Sequence, residues 1–258
     1  MRLTVHLCME YALDHGDPAL LAITAAEAGG QTVLDTALAI EDATLLRIEG
    51  EGGRGDRIWA LPEGCRLKLD YRATVEVARP DAALASLGAA PWHQLPGEVL
   101  TFLRPSRYCP SDLFATFATR QFGHLAGGDR VAAIRDWVAG NLAYVPGSSN
   151  TATTALDSFV SREGVCRDYA HLVCALARAT DIPARYTTGY GPGVDPPDFH
   201  AVAEVWLDQA WHIVDATGMS AAADLVVIGS GRDAGDVPFM ETRNWATPLR
   251  QSIRVAPA

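Results

Sequence analysis

The apolar residues of this 258-residue chain recur at every second position up to about residue 77, at every third or fourth after Pro110, and at every second again from Arg185. Period two gives a strand with one buried face, and period 3.6 gives a helix with one buried stripe, so the chain has to fold as successive β, α and β segments. From Arg2 to Tyr11, Leu3, Val5, Leu7 and Met9 alternate with Thr4, His6, Cys8 and Glu10. Further on, Leu67, Leu69, Tyr71, Ala73, Val75 and Val77 point one way, while Arg66, Lys68, Asp70, Arg72, Thr74 and Glu76 point the other. Shorter strands are predicted around 20–24, 32–40, 44–48 and 57–61, separated by turn-rich pieces at 15–18, 29–30, 50–55 and 62–64. Strands at this spacing predict an antiparallel sandwich-like or open-barrel domain. The glycine-rich run 50–55 has no lysine and no following helix, so it reads as a hairpin loop and not as a phosphate cradle.

Four prolines, Pro91, Pro96, Pro105 and Pro110, interrupt regular structure and place the connection between two units, residues 1–100 and 101–258. Beyond it, Ser111 is read as the cap of a helix carrying Leu113, Phe114 and Phe117. A second helix is expected from Asp129, with Val131, Ile134, Trp137, Val138 and Leu142 as its stripe. A short helix over 155–161 and a longer one over 166–180 follow, then strands at 185–190, 200–207 and 211–216. The fold class is therefore α+β: a β domain, then helices packed on a second antiparallel sheet.

Charge and composition narrow the function. With 31 acidic and 21 basic residues the formal net charge is −10, which argues against a general nucleic-acid or anionic-membrane partner. No stretch reaches the roughly 18 consecutive apolar residues of a membrane span. The first residues lack the unbroken apolar run of a signal peptide and read as a strand. Five cysteines, an odd number thinly spread, do not form a secreted disulfide framework and suggest a reducing cytoplasm.

Two segments carry chemistry. Cys166, after Gly164-Val165, falls on the predicted first turn of a helix, where unpaired N–H groups and the helix dipole favour negative charge and hence a nucleophilic thiolate. Such a cysteine is also compatible with a small buried packing residue. The following hairpin favours the reactive reading. If Asp208-Gln209 form a two-residue turn, Leu207 pairs with Ala210 and Val202 lies opposite Asp215, with His200 two positions away on the same face. A slip of one residue would separate His200 from Asp215, so their meeting depends on register parity. Imidazole could then take the proton of Cys166 and later protonate a leaving group, with Asp215 orienting the ring.

The run GVCRDYAHL, continued by IPARY and GY up to residue 190, then HAVAEVWL (200–207) and WHIVDAT (211–217), resembles the core of the transglutaminase-like superfamily. The segments 103–112 and 141–159 are similar to the bacterial branch that carries an N-terminal β domain. The resemblance covers nearly the whole chain and is most specific over 160–217. It implies a papain-like core in which Cys166 is the nucleophile, His200 the base and Asp215 the orienting acid. Where that family usually has Ala-Trp after its histidine and Pro-Thr after its aspartate, this chain has Ala201-Val202 and Ala216-Thr217. The activity implied is amide acyl transfer through a thioester. Water as acceptor makes a peptidase or amidase acting on a peptide-like amide, and an amine makes a transglutaminase. A binding module that keeps the fold without turnover is the alternative. No cofactor, metal or calcium switch is expected.

The remaining candidates are weaker. Tyr144 and Asn141 could supply an oxyanion donor beside the Cys166 N–H. Tyr186, Tyr190 and Phe199 could line either a groove or the core. Asp168 suits the first helical turn through the dipole alone, so a structural role is preferred to direct catalysis. His171 and Cys174 share a helix, but two ligands without a second pair do not make a zinc site. His6 reads as a solvated strand histidine, and the loop 191–198 as a rim beside His200.

Overall fold

A computed structural model describes residues 1–14, 16–27, 29–50, 55–80 and 83–258. Most of the glycine-rich run 50–55 thus lies outside the described residues. The first half folds into strands β1 (Arg2–Leu13), β2 (Ala19–Leu21), β3 (Gln31–Ile40), β4 (Ala43–Glu49), β5 (Asp56–Pro62) and β6 (Arg66–Val77). In β1 and β6 every second side chain is buried, and β6 lies antiparallel to β1 with Leu7 opposite Tyr71. The helical part holds α1 (Gly97–Leu100), α2 (Ala115–Phe122), α3 (Gly127–Asn141), β7 (Ala143–Tyr144), α4 (Ala155–Ser161), β8 (Glu163–Gly164) and α5 (Cys166–Arg178). It is followed by β9 (Ala184–Tyr190), β10 (His200–Leu207), β11 (Ala210–Val214), β12 (Val226–Gly231), β13 (Met240–Thr242) and β14 (Ala246–Pro257).

Two antiparallel sheets, in the orders β14-β1-β6-β3 and β13-β2-β5-β4, enclose a shared core that includes Leu7, Leu21, Ile58 and Tyr71. The expected sandwich-like architecture is present, but its strands do not all come from residues 1–100. β14 pairs with β1 from Leu3 opposite Pro257 to Leu13 opposite Ala246, and β13 pairs with β2. The chain end returns because the long, apolar-faced β1 would otherwise leave a row of backbone groups unpaired. Tyr190 of β9 and Ile228 of β12 also enter this core, so the division at residue 100 does not separate two independent cores.

The third sheet, β11-β10-β9-β12, is covered by α5. Leu172, Val173 and Leu176 of the helix pack with Val205 and Leu207 of β10 and with Val138 of α3. Burying an aliphatic side chain of this size contributes about 1.5–3 kcal/mol, which is why α5 is held firmly enough to position its first residue.

Two helix starts differ from expectation. Ser111, itself buried, opens a 3₁₀ turn over Ser111–Phe114 and makes no capping bond; α2 begins at Ala115. Helix α3 begins at Gly127, ahead of Asp129. A Cβ on Gly128 would sit 1.6 Å from the Leu84 carbonyl oxygen, so the glycine is what lets the 84–87 turn pack on the helix start. Among the described residues no helix is long and apolar enough to cross a membrane.

Candidate active site

The nucleophile position is built by the turn that precedes α5. Val165 is extended, and its N–H donates to the Asp168 carboxylate at 2.8 Å, while the Asp168 N–H returns to the Val165 carbonyl at 2.8 Å. This reciprocal cap fixes the first helical turn. Ser149 adds a third tie, its hydroxyl donating to Asp168 Oδ2 at 2.6 Å. A Cβ on Gly164 would lie 2.7 Å from the Asp168 Cβ, so only glycine fits there. Asp168 is therefore a structural clamp. Cys166, the first residue of the helix, is half-buried, and its Sγ lies 4.0 Å from the Phe199 carbonyl oxygen.

The hairpin supplies the other two groups. Leu207 pairs with Ala210 and Ala203 with Val214, which is the predicted register. Asp208 and Gln209 have φ of 44° and 61°, the left-handed pair of a type I′ turn, whose twist matches that of the flanking strands. His200 Nε2 and Asp215 Oδ2 consequently meet at 2.8 Å. Asp215 accepts from three more donors: the Thr217 N–H (2.8 Å) and hydroxyl (2.6 Å) on Oδ1, and the Ser220 N–H (2.9 Å) on Oδ2. Burial pushes its carboxyl up, but the His200 and Thr217 hydrogen bonds outweigh this and hold it below the usual carboxylate value.

The His200 ring is 1% exposed. Burial pulls its pKa down, yet the hydrogen bond to Asp215 and the neighbouring Cys166 thiol together push it up to about 9. With Nε2 committed to Asp215, Nδ1 is the nitrogen left for the thiol; among the described residues it makes no hydrogen bond. Tyr144 reaches the same thiol from β7. Burial, together with the nearby Cys166 charge, raises its phenol to about 12, and its hydroxyl contacts both the backbone N–H and the side chain of Cys166. A phenol with that pKa stays protonated across neutral pH and remains a donor.

The other candidates separate. Asn141 is exposed and its amide donates to the Trp137 carbonyl at 2.8 Å, one turn back in α3, so it does not aim at Cys166. Tyr190 is fully buried and donates to the Ile23 carbonyl at 2.6 Å; it is a core residue, not a groove residue. Phe199 does line the cavity, stacked on Phe239 with centroids 4.7 Å apart, and Tyr186 lines it too. His171 is buried, stacks on Tyr108 and accepts from the Ala234 N–H at 3.1 Å. Burial and the nearby Arg167 and Arg178 push its pKa well down, so it is a neutral brace for the 232–239 loop. Cys174 lies in the core, raised by burial and by Cys109 beside it.

Cys166 and His200 open onto a cavity of about 590 Å³ between the helical core and the β layer. Tyr186, Phe199, Val237, Pro238 and Phe239 give it an apolar wall, and Asp198, Glu241 and Arg167 stand at its polar edge. Asp198 accepts from Gln251 of β14 at 2.7 Å, which ties the 191–198 rim to the β layer. Two contributions escaped the sequence reading. Thr217 could have been found, because Asp-x-Thr is a local turn in which the carboxylate bonds the backbone two residues on. The 234–241 wall had no periodic signal at all.

The transglutaminase-like superfamily model matches residues 116–216, the span that contains all three groups of the constellation. A crystal structure from Cytophaga hutchinsonii, described as a "putative cysteine protease", superposes with a TM-score of 0.90 at 32% identity, covering 99% of this chain and 90% of that one. An uncharacterised protein of Mycobacterium bovis is 30% identical over 223 residues, 74% of this chain and 70% of its own length. One from Mycobacterium leprae is 29% identical over 146 residues, and there the chain spans about half (52%) of the relative's length. The protein-glutamine gamma-glutamyltransferase of Pseudomonas aeruginosa is 29% identical over 133 residues, 44% of this chain and 20% of that protein. With the fold, the matched span and the full-length similarity in agreement, the chain belongs to the transglutaminase-like superfamily.

Proposed function

We propose that this protein is a thiol enzyme that transfers the acyl group of an amide through a thioester, with Cys166 as nucleophile, His200 as proton carrier and Asp215 as the residue that orients it. The observation that carries the reading is the imidazole of His200, held by Asp215 at 2.8 Å on one ring nitrogen, with the other nitrogen making no hydrogen bond and the Cys166 thiol close by. The raised His200 favours the imidazolium at neutral pH, the partner that a thiolate nucleophile needs. The Cys166 sulfur attacks the carbonyl carbon, the C–S bond forms, and the carbonyl electron pair moves to oxygen. In this reading the Cys166 N–H and the Tyr144 hydroxyl near it supply the donors that stabilise that oxyanion. As the intermediate collapses the C–N bond breaks, and His200 gives its proton to the leaving amine. A water then attacks the thioester with His200 as base, and the thiolate leaves.

Hydrolysis of a peptide-like amide is the preferred outcome. The full-length similarity to the Cytophaga hutchinsonii protein supports it, whereas the named gamma-glutamyltransferase matches only over a minor part of its length. The apolar wall of Tyr186, Phe199, Val237 and Phe239 favours an acyl donor with an apolar side chain. A reducing cytoplasm accords with the five free thiols, two of which are buried and one exposed. The test is incubation with peptide amides in the presence of a primary amine. Release of ammonia or a free amine without incorporation of the added amine is expected. Stable amine incorporation would move the assignment to transglutaminase, and full biological function of Cys166→Ala would move it to a binding module.

A further inference from the structure

His6, Cys8 and Asp70 form a second cluster of metal-ligating groups, on the outer face of the β layer and apart from the Cys166 site. His6 and Cys8 are two apart on β1 and so share a face, and Asp70 of β6 pairs directly with Cys8. His6 Nε2 lies 2.7 Å from Asp70 Oδ2, and Cys8 Sγ lies 3.3 Å from each of them. The three ligand atoms thus converge on one point, an imidazole nitrogen, a thiol sulfur and a carboxylate oxygen presented by two adjacent strands.

We propose that His6, Cys8 and Asp70 bind a borderline divalent transition-metal ion, zinc above all, at a site independent of acyl transfer. One soft, one intermediate and one hard donor is a mixed set of the kind zinc accepts. Tetrahedral zinc with ordinary bond lengths places S and N ligands about 3.6 Å apart and N and O ligands about 3.3 Å apart. The separations from sulfur need to open by about 0.3 Å and the His6–Asp70 separation by about 0.6 Å, and the His6 and Asp70 side chains are each 40% exposed, with room to do so. On binding, the Cys8 S–H bond breaks, its electron pair forms the metal–sulfur bond and the proton leaves to solvent. Thiolate, carboxylate and neutral imidazole around M²⁺ make a complex of zero net charge, which suits the cationic neighbours. Arg72 donates to the other Asp70 oxygen at 2.9 Å and serves as an outer partner that orients it. Lys68 is paired with Glu41, and Arg250 and Glu10 border the adjoining depression of about 280 Å³, where a water can complete the coordination.

The test uses the untagged chain carrying Cys166→Ala, which removes the other cysteine–histidine pair. Titration with Zn²⁺ against a chromophoric chelator is expected to give one ion per chain, and Co²⁺ to give a thiolate charge-transfer band with the strong visible absorption of four-coordination. Cys8→Ser and His6→Gln should each weaken zinc binding by at least about a hundredfold, more than the loss of an outer partner does. In the wild type, Zn²⁺ should slow alkylation of Cys8 at least tenfold while leaving the exposed Cys65 unaffected, a reading that needs no variant to fold. Absence of a stoichiometric ion, retained affinity in Cys8→Ser, or unchanged Cys8 alkylation would each overturn the proposal.

Discussion

His200 Nε2 and Asp215 Oδ2, fifteen positions apart in the chain, lie within 2.8 Å of one another because a type I′ turn at Asp208-Gln209 sets the register of β10 against β11. The turn decides which face each side chain occupies, and therefore whether an imidazole meets a carboxylate. Replacing Asp215 by Asn keeps the shape but removes the anion that supports the imidazolium. Turnover is expected to fall by about 10³- to 10⁴-fold, with KM nearly unchanged, in steady-state assays on a peptide amide.

Thr217 holds Asp215 through both its N–H and its hydroxyl. Thr217→Val removes only the hydroxyl, so kcat should drop about tenfold, the equivalent of one hydrogen bond to a charged group. An unchanged kcat would mean that Thr217 does not position the acid.

Tyr144→Phe separates oxyanion stabilisation from thiol activation. Its hydroxyl contacts the Cys166 N–H, so kcat on an amide should fall by about 10²- to 10³-fold. Alkylation of Cys166, which builds no oxyanion, should stay within about twofold of wild type.

The His200 pKa gives a stability signature. A group raised from 6.5 to about 9 on folding contributes stability that is complete below pH 6.5 and lost as the pH rises through 9. The lowered Asp215 contributes above its unfolded value near 3.8 and loses that contribution as the pH falls below it. The thermal stability of wild type relative to His200→Gln should therefore be greatest between about pH 4 and 6.5 and should shrink towards pH 9. A difference that grows with pH would contradict the assigned charge states.

Asp168→Ala leaves the half-buried Val165 N–H without its acceptor and frees the Ser149 hydroxyl. Urea unfolding should show a loss of about 1–3 kcal/mol. Normal stability with abolished activity would instead point to a direct catalytic role.

Much of this was legible in the sequence, for a physical reason. Residues such as Leu3, Val5 and Leu7 on β1, or Leu172 and Leu176 on α5, declare their element through local periodicity, and the hairpin register follows from a two-residue turn. Contacts between distant segments leave no such trace. The pairing of β14 with β1, the entry of Tyr190 into the β core and the wall contributed by Val237 and Phe239 all depend on how separate layers meet. Asn141 was misplaced for a similar reason: helix α3 carries it to an exposed last turn, where its amide satisfies a carbonyl of that helix. His6 looked like a solvated strand residue because its partner Asp70 lies 64 positions away.

Activation of Cys166 by His200 underlies the proposed chemistry. Iodoacetamide alkylation of each cysteine, followed by peptide mass spectrometry from pH 4 to 9 in wild type and His200→Ala, tests it most directly. Cys166 should react faster than Cys8 and Cys65 below neutral pH and lose that advantage in His200→Ala. A Cys166 that reacts like an ordinary thiol, and equally in both proteins, would contradict the account.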